Sequence, residues 1–191
     1  MIFSHILSSS VLAGTGIGVF WYFSPRVAFF NRLLWGFFFL TVSLAALIGI
    51  AHYMGSSELE PLYRSMQILA DSLGIVCAVG ATWGLLARQT YSLPAFLTMV
   101  LIGVGLFVLL LLPDGRAFTP IVPAMGILVL MLMAVWALMQ RSKHGLWVVL
   151  AAMMMGLATK SLAIGNLIHP IDLQHYATAF SLWFFGKAVR P

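Results

Sequence analysis

The sequence predicts an all-α polytopic membrane protein, a single bundle of seven transmembrane helices over residues 1–191, and three observations carry that prediction. The first is composition: 62% of the residues are hydrophobic and 8% charged, with a mean hydropathy of +1.03. A soluble domain needs a charged exterior that this chain lacks. The second is the division of the chain into apolar runs near the roughly 20 residues that a spanning helix requires. The third is the partition of charge between alternate loops, which makes the formal net charge of +5 a topology signal rather than a nucleic-acid signal.

The runs are Phe3–Phe23, Phe30–Met54, Leu62–Leu86, Leu93–Leu112, Phe118–Met139, Leu146–Leu167 and Ile171–Phe185. Polar, proline and glycine clusters separate them: SPR at 24–26, GSSELEP at 55–61, RQTYSLP at 88–94, PDGR at 113–116, QRSKHG at 140–145 and HP at 169–170. Pro170 suits a first helical turn, where its missing N–H costs nothing. Helices rather than strands follow from run length, and from the need to satisfy every backbone group within lipid. No internal repeat supports an inverted-repeat transporter. The start, MIFSHILSSS, lacks the basic stretch of a cleavable signal peptide. Cys77 is the only cysteine, so no intrachain disulfide forms.

Seven spans gather Arg26, Arg32, Arg88, Arg141, Lys143, Lys187 and Arg190 on one side. All five acids, Glu58, Glu60, Asp71, Asp114 and Asp172, fall to the other, with Arg64, Arg116 and Lys160. The excess of lysine and arginine predicts an outer N-terminus and a cytoplasmic C-terminus. In a bacterium the address is the cytoplasmic membrane. Trp21, Trp35, Trp83, Trp136, Trp147 and Trp183 read as an interfacial belt on the basic side. Gly14, Gly16, Gly18, Gly103 and Gly105 read as points of close helix approach.

Polar groups inside spans are costly, which makes them functional candidates. His144 sits beside Lys143 and reads as solvated or headgroup-facing, whereas His5, His52, His169 and His175 fall on the acidic side. Imidazoles with a carboxylate make an ordinary zinc shell. His169 and His175 are six residues apart, about 9 Å and 240° along a helix, and so face differently. His169 reads as standing at the start of the last helix, where the dipole favours Asp172. Asp172 and His175, at i and i+3, share a face, with Tyr176 beside them. Asp71 must be paired, protonated or wetted. Lys160 either pairs with Asp71 or Asp172 or snorkels outward. His52 and Tyr53 are either site residues or interfacial ones. Asp172 and His175 are either a coupled pair or a cap and its neighbour.

Two strings carry a resemblance. MQILADSLGI at 66–75 resembles the third-helix segment of alkaline ceramidases, and AIGNLIHPIDLQHYATAFSLWFFG at 163–186 resembles the last helix of the wider group. With His52 late in the second helix, the chain resembles the CREST superfamily of alkaline-ceramidase and adiponectin-receptor-like proteins, especially its small bacterial members. That resemblance implies a zinc-dependent hydrolase acting on a lipid amide or ester. It makes His52 and His175 zinc ligands and Asp71 the group that holds the attacking water. The pattern departs at Ile48, where the group has serine, and at Ala179, where it has a further histidine. The third ligand is then His5 or His169. Asp172, Lys160 and Tyr176 are supporting groups.

The leading expectation is therefore a zinc enzyme whose partner is a membrane lipid, with no nucleic-acid partner. The alternatives are a non-catalytic protein with a polar ligand pocket or structural network, and a bis-histidine haem protein using His52 and His175.

Overall fold

The computed structural model describes residues 2–161 and 169–189, and those residues form helices and short connections with no strand among them. Seven helices stand where the apolar runs are: α1 (Ile2–Phe23), α2 (Phe29–Tyr53), α3 (Glu60–Leu86), α4 (Leu93–Leu111), α5 (Ile121–Met139), α6 (Lys143–Thr159) and α7 (Pro170–Val189). Within α3, Ala70–Gly74 is a π-helical turn. Helices α1 to α5 are long and apolar enough to cross a membrane, which marks an integral membrane protein. Helix α6 is apolar but has 17 residues. Helix α7 falls outside that set because Asp172, Gln174, His175 and Tyr176 crowd its first half. Helix α6 ends at Thr159 with Lys160 as its cap, short of the Leu167 end expected for the sixth run; residues 162–168 lie outside the described residues.

Helix α1 packs between α2 and α7, α6 lies between α5 and α7, and α3 contacts α2, α4 and α5. In lipid, moving apolar side chains between bilayer and protein releases little free energy, so close packing must hold the bundle. Aromatic side chains supply it where α1, α2 and α7 meet. Phe185 lies 5.5 Å from Trp35 and 5.4 Å from Phe38, ring centre to ring centre, and Phe23 lies 5.3 Å from Phe39. Each such pair contributes about 0.5–1.5 kcal/mol beyond area. Trp35 is therefore a core residue, 1% exposed, and not part of an interfacial belt. A belt-like stack of Trp83 on Trp136 does occur, at 5.7 Å.

The basic-rich connections are tied down by their own chemistry. Asn31 on α2 donates to the Gln89 carbonyl and accepts from the Tyr91 N–H, each at 2.8 Å, clamping the turn after α3. His144 is half-buried rather than solvated, because its Nδ1 lies 2.6 Å from the Ala188 carbonyl, one of the acceptors left over at the end of α7. Arg88 and Arg141 end α3 and α5 at φ 54° and 57°. The Gln89 N–H to Gly84 carbonyl bond (2.9 Å) and the Ser142 N–H to Ala137 carbonyl bond (3.0 Å) identify both ends as Schellman caps. Glycine is the usual residue there because an L side chain is strained in that region. Arg141→Gly is expected to raise stability by about 1 kcal/mol, read as a higher unfolding midpoint of the detergent-purified protein. A lower midpoint would show that the arginine side chain contributes more than the strain it costs.

Candidate functional site

The first turns of α1 and the first turn of α7 meet side by side. Ser4, His5, Ser8 and Ser9 recur along one face of α1 at the 3–4-residue spacing that stacks helical side chains. Asp172 and His175, one turn apart on α7, face them.

Asp172, 3% exposed, organises the cluster. Its Oδ1 accepts from Ser8 Oγ at 2.7 Å and from His5 Nδ1 at 2.9 Å, and its Oδ2 accepts a short hydrogen bond from Ser4 Oγ. The N-terminal turn of α7 also favours a negative charge at this position. His175 Nδ1 lies 3.0 Å from Ser8 Oγ and 3.2 Å from Ser9 Oγ. A carboxylate only accepts and is the strongest acceptor available to Ser8, so the Ser8 proton goes to Asp172. Ser8 Oγ then accepts from His175 Nδ1–H, which leaves Nε2 as the unprotonated ring nitrogen of His175.

His169 stands immediately before α7, its carbonyl accepting from the Leu173 N–H at 3.1 Å, as a residue capping the helix start does. Its ring is 4.4 Å from that of His5, centre to centre. His5, His169 and Asp172 can hold a metal ion, because each offers a ligand atom and those atoms lie within 4.8 Å of one another. The donor set of two imidazoles and one carboxylate is one that zinc accepts in catalytic sites. His5 Nδ1 already hydrogen-bonds Asp172 Oδ1 at 2.9 Å, so a metal held by both side chains would take the place of that hydrogen bond.

A cavity of about 530 Å³ opens beside the cluster, walled by Tyr63, Arg64, Asp71, Thr119, Gln174 and His175 among others. His175 thus joins the cavity to the Asp172 cluster through one serine. Asp71 lies on the π-turn of α3 and lines this cavity together with His175.

The other residues singled out from the sequence sit apart. His52 is on the rim: its Nε2 pairs with Glu60 at 3.0 Å and its ring stacks on Tyr63 at 5.5 Å. Glu60 holds Arg64 at 2.6 Å through its other oxygen, and Tyr63 and Tyr53 share a hydrogen bond of 3.3 Å. Tyr53 approaches the His5 ring at 5.3 Å, which is the rim's link to the Asp172 cluster. Lys160 is exposed at the end of α6 and forms no ion pair among the described residues, so it meets neither Asp71 nor Asp172. Tyr176 is half-buried beside His175 and makes no hydrogen bond among the described residues.

The structure thus brings together His5, His169, Asp172 and His175, places Asp71 across the cavity from them, and leaves His52 on the rim with Glu60. Sequence reasoning passed over Ser4, Ser8 and Ser9. Their signal was present as a polar face at positions 4, 5, 8 and 9 in an otherwise apolar helix. No protein-family model, curated protein or solved structure matches this chain.

Proposed function

We propose that this chain is a zinc-dependent membrane hydrolase that cleaves a lipid amide or ester at an outward-facing site, as the resemblance to the CREST group suggests. One observation carries the reading: three ligand-type side chains, His5, His169 and Asp172, converge within 4.8 Å, one serine away from a roomy cavity inside the bundle. The ligand set is not the one carried over by position, since His5 and His169 take the place of His52 and His175. Bound there, zinc would supply a polarised carbonyl and a water with a pKa near about 7.

The chain's own groups have separable tasks. Asp172 would bind the metal beside His5 and His169, in place of its present hydrogen bond to His5. His175 presents a free imidazole nitrogen and Asp71 a carboxyl group on the cavity wall, two groups able to carry a proton to or from a reacting linkage. The cavity's size falls within the roughly 300–1,000 Å³ of small-molecule sites, enough for the polar part of a lipid.

A second reading draws on the saturation of Asp172. With Ser4, His5 and Ser8 all donating to it, the same groups make a polar staple between α1 and α7 without any metal. Elemental analysis of detergent-purified protein separates the two. About one zinc per chain is expected in the wild type, lost in His5→Ala and His169→Ala and kept in His52→Ala. Protein prepared without chelator that carries no zinc would leave the staple as the explanation.

A further inference from the structure

Beside Asp71 lies a second, smaller chamber of about 90 Å³, partly open and lined by residues of α2, α3, α5, α6 and α7. Val42, Ala70, Asp71, Gln174 and Thr178 line both spaces, so the two adjoin at the π-turn. Two groups lining the inner chamber lack partners among the described residues. Asp71 makes no hydrogen bond or ion pair with any described residue. Ser181 is 0% exposed, and its Oγ has no hydrogen-bond partner among the described residues. Serine and threonine hydroxyls in a helix normally bond back to their own backbone, as Thr178 does to the Gln174 carbonyl at 2.8 Å and Ser72 to the Ile68 carbonyl at 2.6 Å. Ser181 does not, and an unmet buried hydroxyl points to something that meets it.

The lining states the chemistry of that occupant. Thr178 and Thr159 also line the chamber, the latter exposed at its α6 edge, and each donates its proton to a backbone carbonyl, which leaves its oxygen as an acceptor only. With the Asp71 carboxylate and Ser181 Oγ they make a set of hard oxygen ligands with one negative charge. No Lys, Arg or His lines the inner chamber among the described residues. One carboxylate balances one positive charge, whereas a divalent ion in a low-dielectric interior would need a second. The space is well below the roughly 300 Å³ of organic-ligand pockets and suffices for an ion with a few waters. A π-turn at the carboxylate fits a ligand site too, since such turns recur where a helix serves function rather than packing.

We propose that the inner chamber is a binding site for a monovalent, sodium-sized cation, held by the Asp71 carboxylate, Ser181 Oγ and the Thr178 and Thr159 hydroxyl oxygens. The site shares Asp71 with the outer cavity but contains none of His5, His169 and Asp172, and it does not depend on any metal there. An ion bound at the junction of five helices stabilises the folded state by mass action.

The test is thermal unfolding of the full chain in detergent, followed by tryptophan fluorescence, with sodium chloride exchanged for choline chloride at constant ionic strength. Choline is too large for the chamber. The wild type is expected to show a saturable rise in unfolding midpoint with sodium, absent in Asp71→Asn. In Ser181→Ala the half-saturating sodium concentration should rise by about fivefold or more, the loss of one hydrogen-bond-strength ligand. His5→Ala should keep the sodium response intact, so that failure of the zinc reading leaves this one standing. A wild type indifferent to sodium, or an Asp71→Asn protein that responds as the wild type does, would overturn the proposal. Should Asp71→Asn not fold, Ser181→Ala decides alone, and an unchanged half-saturation then counts against the site.

Discussion

Asp172→Ala is expected to lower stability by about 3–5 kcal/mol, the range seen when one side of a buried, hydrogen-bonded charge is removed. The cost comes less from lost attraction than from what is left behind. Ser4 Oγ, Ser8 Oγ and His5 Nδ1 all donate to this carboxylate, and Ser8 and His5 are buried. Shut away from solvent, Ser8 Oγ and His5 Nδ1 would each be left an orphan donor at a cost of roughly 1–3 kcal/mol. Ser8 also loses the partner that fixes its proton, so its bond to His175 Nδ1 is disturbed. The unfolding midpoint of detergent-purified protein measures the effect. Ser8→Ala added to Asp172→Ala should cost little more, because the donor it removes is already unpaired. Full additivity of the two substitutions, or a loss below about 1 kcal/mol for Asp172→Ala, would show that the serines find other partners and that the staple is weak.

How much of this arrangement the sequence discloses depends on the range of the interaction involved. Run length and hydropathy set the helices within a few residues, except that α6 ends at Thr159 rather than Leu167, because backbone satisfaction in lipid is a local demand that each stretch must meet alone. Leu86 and Met139 close their helices where the apolar runs end. The site was legible in part. His169 as the cap of α7, and Asp172 and His175 on one face, follow from helical spacing. The partnership with α1 was accessible in principle, because an odd number of spans makes α1 and α7 parallel and puts their starts on the same side. Identifying Ser4, His5 and Ser8 as the partners needed the packing of α1 against α7, a contact between residues 167 or 168 apart such as His5 and Asp172 or Ser4 and Asp172. His52 was drawn into the site by its place late in α2. Its actual company, Glu60 and Tyr63, comes from the short turn that brings α3 back against α2. The π-turn at Ala70–Gly74 has no local sequence signature, since no proline or glycine pair breaks the helix before Gly74. The Arg141 cap was hidden for a similar reason: local preference argues for glycine at φ 57°, and nothing nearby announces that an arginine occupies it.

Gly16→Val is expected to destabilise the bundle by about 3 kcal/mol, the upper part of the range for forcing extra methyl groups into a packed interior. A Cβ at Gly16 would stand 2.1 Å from Ser43 Oγ, 3.3 Å from Leu182 Cδ1 and 3.4 Å from the Phe39 carbonyl oxygen. Ser43 cannot simply turn away. It is 1% exposed, and its hydroxyl donates to the Phe39 carbonyl at 2.8 Å. Leu182, 0% exposed, is held within the core. The three helices that meet here are the ones that present His5, Tyr53 and His175, so a shift at Gly16 moves α1 against α7 at the level that aligns the two halves of the site. Spacing alone could not rank the glycines. A Cβ added at Gly14, Gly18 or Gly105 would have no neighbour within 4 Å, whereas one at Gly103 would meet the Leu73 backbone at 2.9 Å. Gly14→Val, on the same helix, is therefore the matched control and should stay within about 1 kcal/mol of the wild type, the cost of a β-branched residue in a helix. Ser43→Ala should recover part of the loss in Gly16→Ala by removing the nearest obstructing atom. Equal effects of valine at positions 14 and 16 would mean that α1 approaches α2 and α7 less closely than the aromatic core between them requires.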